Sequence, residues 1–200
     1  MATTRSSSTP ITTGESSLLT HLVPFSTHSL SLRSDPIDIQ FMRQALACAR
    51  ESEYIPTAFC VGCVITTSSN HPTNPNFLLS TGYSRELPGN THAEQSALDK
   101  FLLLNDKYSD EWKRELIERG KLYTTMEPCS VRLSGNTPCV QRILETEIKD
   151  VYVGVREPGD FVECEGTRLL REKGRNVWIV VDPEDETLGE QCLKVARGEQ

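Results

Sequence analysis

The pattern Thr91-His92-Ala93-Glu94, followed by Pro128-Cys129 and later by Pro138-Cys139, sets the strictest condition on how this chain folds. One imidazole and two thiolates can hold a zinc ion and leave a fourth position open. To act together, three stretches far apart in sequence must meet at one point. A carboxylate two residues past the imidazole, Glu94, can then move protons for a metal-bound water. His92 and Glu94 follow a loop at 84–91 and open a helix. Cys129 follows a strand, and Cys139 opens the next helix behind a proline. Helix N-termini carry partial positive charge and free N–H groups, and they favour a thiolate over a thiol. Two such ends facing each other across a sheet would seat one zinc. Taken singly, His-x-Glu and Pro-Cys are weak signals, and a lone cysteine is more often packing than ligand. Their order, each at the start of a helical pattern, gives them weight.

Hydrophobic periodicity supplies the frame. Ser34-Asp35-Pro36 reads as a capped helix start, and Phe41, Met42, Ala45, Leu46 and Ala49 recur at helical spacing. Residues 59–66 form a β-rich run with little alternation, which predicts a buried strand. A turn at 68–76 and a returning strand at 77–83 follow. Helices are expected at 93–104, 110–119, 137–144, 167–173 and 186–197, and strands at 121–126, 151–155 and 177–181. That order predicts an α/β fold, a three-layer α/β/α sandwich around a mixed sheet of about five strands. The later strands should be parallel, because the intervening helices act as crossovers. Residues 1–33 are a Ser/Thr-rich arm of low complexity. Leu18, Leu19, Leu22, Val23 and Phe25 within it form an apolar patch suited to docking on the domain or on a second subunit. The domain proper is read as 34–200.

A net charge of −7 opposes a polyphosphate partner at long range, which argues against an enzyme gripping long RNA or DNA. The seven cysteines, at 48, 60, 63, 129, 139, 164 and 192, show no disulfide framework. Cys48, Cys60 and Cys63 lie on apolar patterns and read as buried thiols. Cys60-Val-Gly-Cys63 is nominally a redox or metal half-site, but inside a strand residues three apart point to opposite faces. The set suggests a reducing compartment: the cytoplasm, with the nucleus as the alternative. Apolar runs reach only about seven residues, too short to span a membrane, and the N-terminus has no apolar secretory core.

Thr91-His-Ala-Glu94 together with Leu122-Tyr-Thr-Thr-Met-Glu-Pro-Cys129 resembles the cytidine deaminase-like superfamily. The nine residues between Cys129 and Cys139, where many zinc deaminases have two, resemble the riboflavin-pathway branch. The stretch 82–94, with Arg132-Leu-Ser-Gly135 and Val151-Tyr-Val-Gly-Val-Arg-Glu-Pro158, is similar to fungal diaminoribitylaminopyrimidinone phosphate deaminases. The resemblance covers about residues 36–182. It implies deamination of 2,5-diamino-6-ribitylamino-4(3H)-pyrimidinone 5′-phosphate, with the 2-amino group exchanged for oxygen. It also implies a small-molecule substrate, no nucleic-acid or membrane partner, and a homodimer. Bacterial relatives are usually fused to a reductase. The short stretch after the expected domain fits a stand-alone deaminase of the fungal kind.

The roles follow from the chemistry. Zinc on His92, Cys129 and Cys139 acidifies a water. Glu94 takes the proton and serves the ring nitrogen and the departing amine. Glu127, just before Pro128, is a lesser candidate with a structural role as its plainer reading. Where bacterial relatives have an asparagine before the first strand, this chain has Ala58. Asn90, beside the motif, is the expected replacement. In the intercysteine loop Arg132 and Ser134 take the places of a histidine and a lysine. Arg132 is the first choice for the phosphate, since a guanidinium forks onto phosphate oxygens. Ser84 and Arg85 on the neighbouring loop are weaker candidates, and Glu157, past a strand end, suits the ring's amino groups. Two other classes remain open. A tRNA or other nucleic-acid adenosine or cytosine deaminase subunit would want a basic, aromatic surface. A silent zinc-stabilised scaffold would not need Glu94.

Overall fold

The computed structural model describes residues 31–103, 108–156 and 165–199. Its elements run β1 (Ser31–Arg33), α1 (Pro36–Ala49), β2 (Gly62–Thr66), β3 (Leu78–Tyr83), α2 (Ala93–Leu103), α3 (Asp110–Ile117), β4 (Lys121–Met126), α4 (Cys139–Leu144), β5 (Asp150–Val155), α5 (Gly166–Glu172), β6 (Asn176–Val180) and α6 (Leu188–Ala196). The sheet order is β1-β6-β5-β4-β2-β3. β4, β5, β6 and β1 are mutually parallel, and β2 runs antiparallel to both β3 and β4. The mixed sheet and its parallel half match the sequence expectation.

The two apolar clusters show the layers. On one face α2, α3, α4 and α5 pack through Ala97, Leu98, Phe101, Ile117, Ile143 and Leu170 onto Cys63, Ile65, Leu122 and Val153. On the other, α1 and α6 pack through Met42, Ala45, Leu46, Leu188 and Cys192 onto Val64, Tyr123, Tyr152 and Val180. Among the described residues no helix is long and apolar enough to cross a membrane.

The sheet has six strands where about five were expected. The extra one, Ser31–Arg33, lies within the segment read as an arm, so the folded unit takes in residues before position 34. Three residues of mixed polarity carry no periodicity to announce a strand. What holds them is pairing with β6 and a buried ion network. Asp38, in the first turn of α1, is fully buried. Its Oδ1 accepts from Lys121 Nζ at 3.0 Å and from the Tyr123 hydroxyl at 2.6 Å, and its Oδ2 accepts from Arg33 Nε at 2.9 Å. One carboxylate thus ties β1, α1 and β4 together at the start of β4, the end of the strand away from Cys129.

Cys60 lies just before β2, not inside it, and its thiol points toward the Ser52 and Glu53 carbonyls. Cys63 sits in the core on the α2 side. Both are buried free thiols, and Cys48 is a half-buried one. The apolar patch at Leu18–Phe25 and Cys164 lie outside the described residues.

Burial by itself would raise the Asp38 pKa, but the hydrogen bonds from Tyr123, Lys121 and Arg33 outweigh it and leave the value below that of an ordinary aspartate. A depressed folded pKa contributes stability above the unfolded value of about 3.9, and that contribution is lost as pH falls through the folded pKa. Asp38→Ala strands Lys121 in the interior and should cost about 3–5 kcal/mol, read by urea unfolding at neutral pH. Acid titration should show wild-type stability dropping below about pH 4. Asp38→Asn should have a flatter acid limb, and an equally steep limb would remove Asp38 from this role.

Candidate active site

Close packing brings the motif to the sheet. A β-carbon on Gly82 would lie 2.4 Å from the Ala93 carbonyl and 2.5 Å from the Ala97 nitrogen. Only glycine lets the first turn of α2 rest this near β3. The loop between them is tightly tied. Ser84 Oγ accepts from Val61 N–H at 3.0 Å, and Ser84 N–H donates back to the Val61 carbonyl at 3.0 Å. Arg85 N–H donates to the Thr91 carbonyl at 2.7 Å. Thr91 Oγ1 accepts from Leu87 N–H and from the Ser96 hydroxyl. Arg85 and Asn90 adopt left-handed backbone, φ 64° and 55°, which lets this short loop reverse direction.

His92, Cys129 and Cys139 meet, and their donor atoms all lie within 4.8 Å of one another. His92 Nδ1 is 3.5 Å from the Cys129 sulfur and 3.5 Å from the Cys139 sulfur. A tetrahedral zinc with Zn–S of about 2.3 Å and Zn–N of about 2.0 Å requires an S···N separation of about 3.5 Å, so the residues fit the ion. Cys139 opens α4, and its N–H points at Cys129 Sγ at 3.4 Å. Hydrogen bonding from the Cys139 thiol, with help from His92 and that N–H, lowers the Cys129 pKa well below the ordinary thiol range. Cys129 thus favours the thiolate that a metal requires, while the Cys139 thiol, donating to Cys129 and buried, is pushed well above the ordinary thiol range and gives up its proton only to a metal.

Glu94 is buried beside these groups, and its Oε1 accepts from Thr124 Oγ1 at 3.0 Å. Burial raises its pKa above that of an ordinary glutamate, and the neighbouring Cys129 adds to the rise. Glu127 is also buried, but its Oε1 accepts from both the N–H and the hydroxyl of Thr167 at 2.8 Å. That carboxylate anchors the start of α5, the structural part its position suggested.

A cavity of about 600 Å³ opens beside the three ligands. Its lining includes Ala58, Ser84, Arg85, Asn90, Arg132 and Ser134, together with His92, Glu94 and Cys129. The candidates therefore share one site, with different freedom. Ser84 Oγ is engaged with Val61. The Arg85 guanidinium reaches the Phe59 carbonyl at 3.2 Å, the Glu53 carbonyl and the Cys60 sulfur at 3.5 Å. It braces the segment after α1. Arg132 donates from Nη1 to Gln95 Oε1 at 2.8 Å and from Nη2 to the Asn90 carbonyl at 2.6 Å. Asn136 adds a bond to the Gly89 carbonyl at 3.3 Å. The intercysteine loop is thereby clasped to the 84–91 loop over the cavity. Glu157 lies outside the described residues.

Sequence reasoning missed several walls. Thr124 positions Glu94, and Gln95 positions Arg132. Tyr54, Ile55 and Pro56 line the cavity from one side, and Ala196 and Arg197 at the end of α6 close it. Gln95 adjoins the motif and Thr124 lies in the strand leading to Cys129, so both were in view without a partner to give them meaning. Arg197 is remote from every motif, and no local pattern marks it.

Comparison with known proteins agrees with this geometry. The sequence model of the cytidine and deoxycytidylate deaminase zinc-binding region matches residues 36–155. The diaminohydroxyphosphoribosylamino-pyrimidine deaminase of Schizosaccharomyces pombe is 40% identical over 157 residues, 78% of this chain and 34% of that protein. The riboflavin biosynthesis protein RibD of Actinobacillus pleuropneumoniae is 30% identical over 142 residues, 70% of this chain and 32% of that one. The chain thus spans about a third of the length of these curated relatives. The crystal structure of Aspergillus oryzae Rib2 deaminase in complex with DARIPP, a C-terminal deletion mutant, is similar at a TM-score of 0.64 and 33% identity, covering 82% of this chain and 92% of that one. Converging ligands, a buried glutamate beside them and a family match over the same residues lead to one conclusion: the chain belongs to the zinc-binding cytidine and deoxycytidylate deaminase family.

Proposed function

We propose that this protein is a hydrolytic deaminase of 2,5-diamino-6-ribitylamino-4(3H)-pyrimidinone 5′-phosphate, releasing ammonia in riboflavin biosynthesis. The observation that carries the reading is a complete His92–Cys129–Cys139 donor set with Glu94 buried at its side, opening into a cavity large enough for a pyrimidine with a phosphorylated side chain. The relatives' names and the DARIPP complex of the Aspergillus protein support the substrate class.

Bound zinc would supply an acidified water at the position the protein leaves open. Glu94 then does the proton work. Its carboxylate takes one proton from the attacking water and passes it to the adjacent ring nitrogen, while the new carbon–oxygen bond forms at the amine-bearing carbon. It next moves the remaining hydroxyl proton to the amine, the carbon–nitrogen bond breaks, and ammonia departs. A ring carbonyl and a ring N–H remain, so water and amine are exchanged in balance. The Thr124 hydroxyl holds Oε1 beside the donor set. Arg132, held across the cavity mouth by Gln95 and Asn90, braces the roof of the site and keeps a few N–H donors for an anion.

Two outcomes test the reading. Glu94→Gln should retain one zinc per chain by elemental analysis, yet lose about 10²–10⁴-fold or more in ammonia release from this substrate. Full turnover would remove Glu94 from the mechanism. Cys139→Ser should lose zinc and activity together, and chelation of the wild-type protein should reproduce that loss reversibly. Activity that survives complete metal removal would defeat the proposal.

A further inference from the structure

The cavity wall made by the C-terminal turn carries a further candidate for substrate contact. Helix α6 ends beside the cavity, and its last carbonyls are taken up by the N–H groups of Arg197, Gly198, Glu199 and Cys60. Its position is firmly set. The Ala196 carbonyl accepts from Cys60 N–H at 2.9 Å. Gly198, in left-handed backbone at φ 77°, lies so near Tyr54 that a β-carbon there would sit 2.2 Å from the ring. Cys60 and Tyr54 belong to the segment after α1 that walls the same cavity. Arg197, between these two anchors, is held at the cavity edge by backbone geometry alone.

Its side chain is exposed, and no hydrogen bond or ion pair engages its guanidinium among the described residues. The other two arginines of the cavity are occupied as struts. Arg85 bonds two backbone carbonyls and a sulfur, and Arg132 bonds Gln95 and Asn90. Of the three cavity arginines, Arg197 alone keeps both terminal nitrogens open for a bidentate grip on an anion.

We infer that Arg197 is a specificity-determining residue that recognises the terminal phosphate of the substrate. This rests on the deaminase reading above and names the part of that site that would select phosphorylated over unphosphorylated pyrimidines.

The test compares wild type, Arg197→Gln and Arg197→Lys, all zinc-loaded, on the 5′-phosphorylated substrate and its dephosphorylated form. A charge-assisted contact predicts that the ratio of kcat/KM between the two substrates falls about 10- to 100-fold in Arg197→Gln, with partial recovery in Arg197→Lys. The change should lie in KM for the phosphorylated compound. An unchanged ratio, or equal losses on both substrates, overturns the assignment. A second arm is independent of turnover: calorimetric binding of ribitol 5-phosphate. Binding by wild type that is weakened to the same degree in Arg197→Gln supports the contact even if neither pyrimidine is deaminated, a result that would sink the proposed function instead. Binding unaffected by the substitution, or absent from wild type, overturns the assignment.

Discussion

The first turn of α2 must lie almost in contact with β3, and the site depends on that closeness. The backbone at Gly82 leaves no room for a β-carbon under Ala93 and Ala97. Move α2 outward by the radius of a methyl group and His92 Nδ1 leaves both sulfurs, while Glu94 leaves Thr124. Packing of α2 on the sheet thus brings His92 within reach of the two sulfurs. Gly166 makes a similar close approach at the Pro128 carbonyl, just before Cys129. Two small residues therefore fix the two sides of the donor set, in line with the need to hold first contacts on rigid elements.

Loops do the remaining work by being tied to one another. The intercysteine segment carries exposed Leu133 and Val131 and offers little apolar burial to hold it. Its order comes from Arg132 and Asn136, both of which bond backbone carbonyls of the 84–91 loop. That loop is in turn held by Thr91, Ser84 and the left-handed turns at Arg85 and Asn90. A polar clasp of this kind keeps a cavity roofed while leaving its donors near the substrate. It also explains why two of the three cavity arginines serve the protein's own backbone.

Legibility in the sequence followed the range of the interaction. The helices and central strands were readable because burial repeats along them, and β4 was expected at the residues where it occurs, Lys121–Met126. His92, Glu94, Cys129 and Cys139 were readable because their chemistry is unusual at that spacing. β1 was not, since Ser31–Arg33 owes its place to β6 and to Asp38 on another element. Ser84, Arg85 and Arg132, expected as substrate contacts, line the cavity, but their hydrogen-bond partners lie 23 to 42 residues away and no local pattern encodes them. Arg197 was invisible for the same reason, since only the docking of α6 on the segment after α1 brings it to the site.

Charge shows how local pairing overrides the global total. A chain with net charge −7 repels an anion at long range, but beyond about 8–10 Å that field is screened at physiological salt. Inside the cavity the nearest charges decide. There the carboxylates of the lining are each bonded within the protein: Glu94 to Thr124 and Glu127 to Thr167. The arginines keep N–H groups that a phosphate can use. The same logic holds at the far end of β4, where Lys121, Tyr123 and Arg33 satisfy a fully buried aspartate. Net charge then governs how whole molecules meet, and the pairing of single carboxylates governs what the cavity admits.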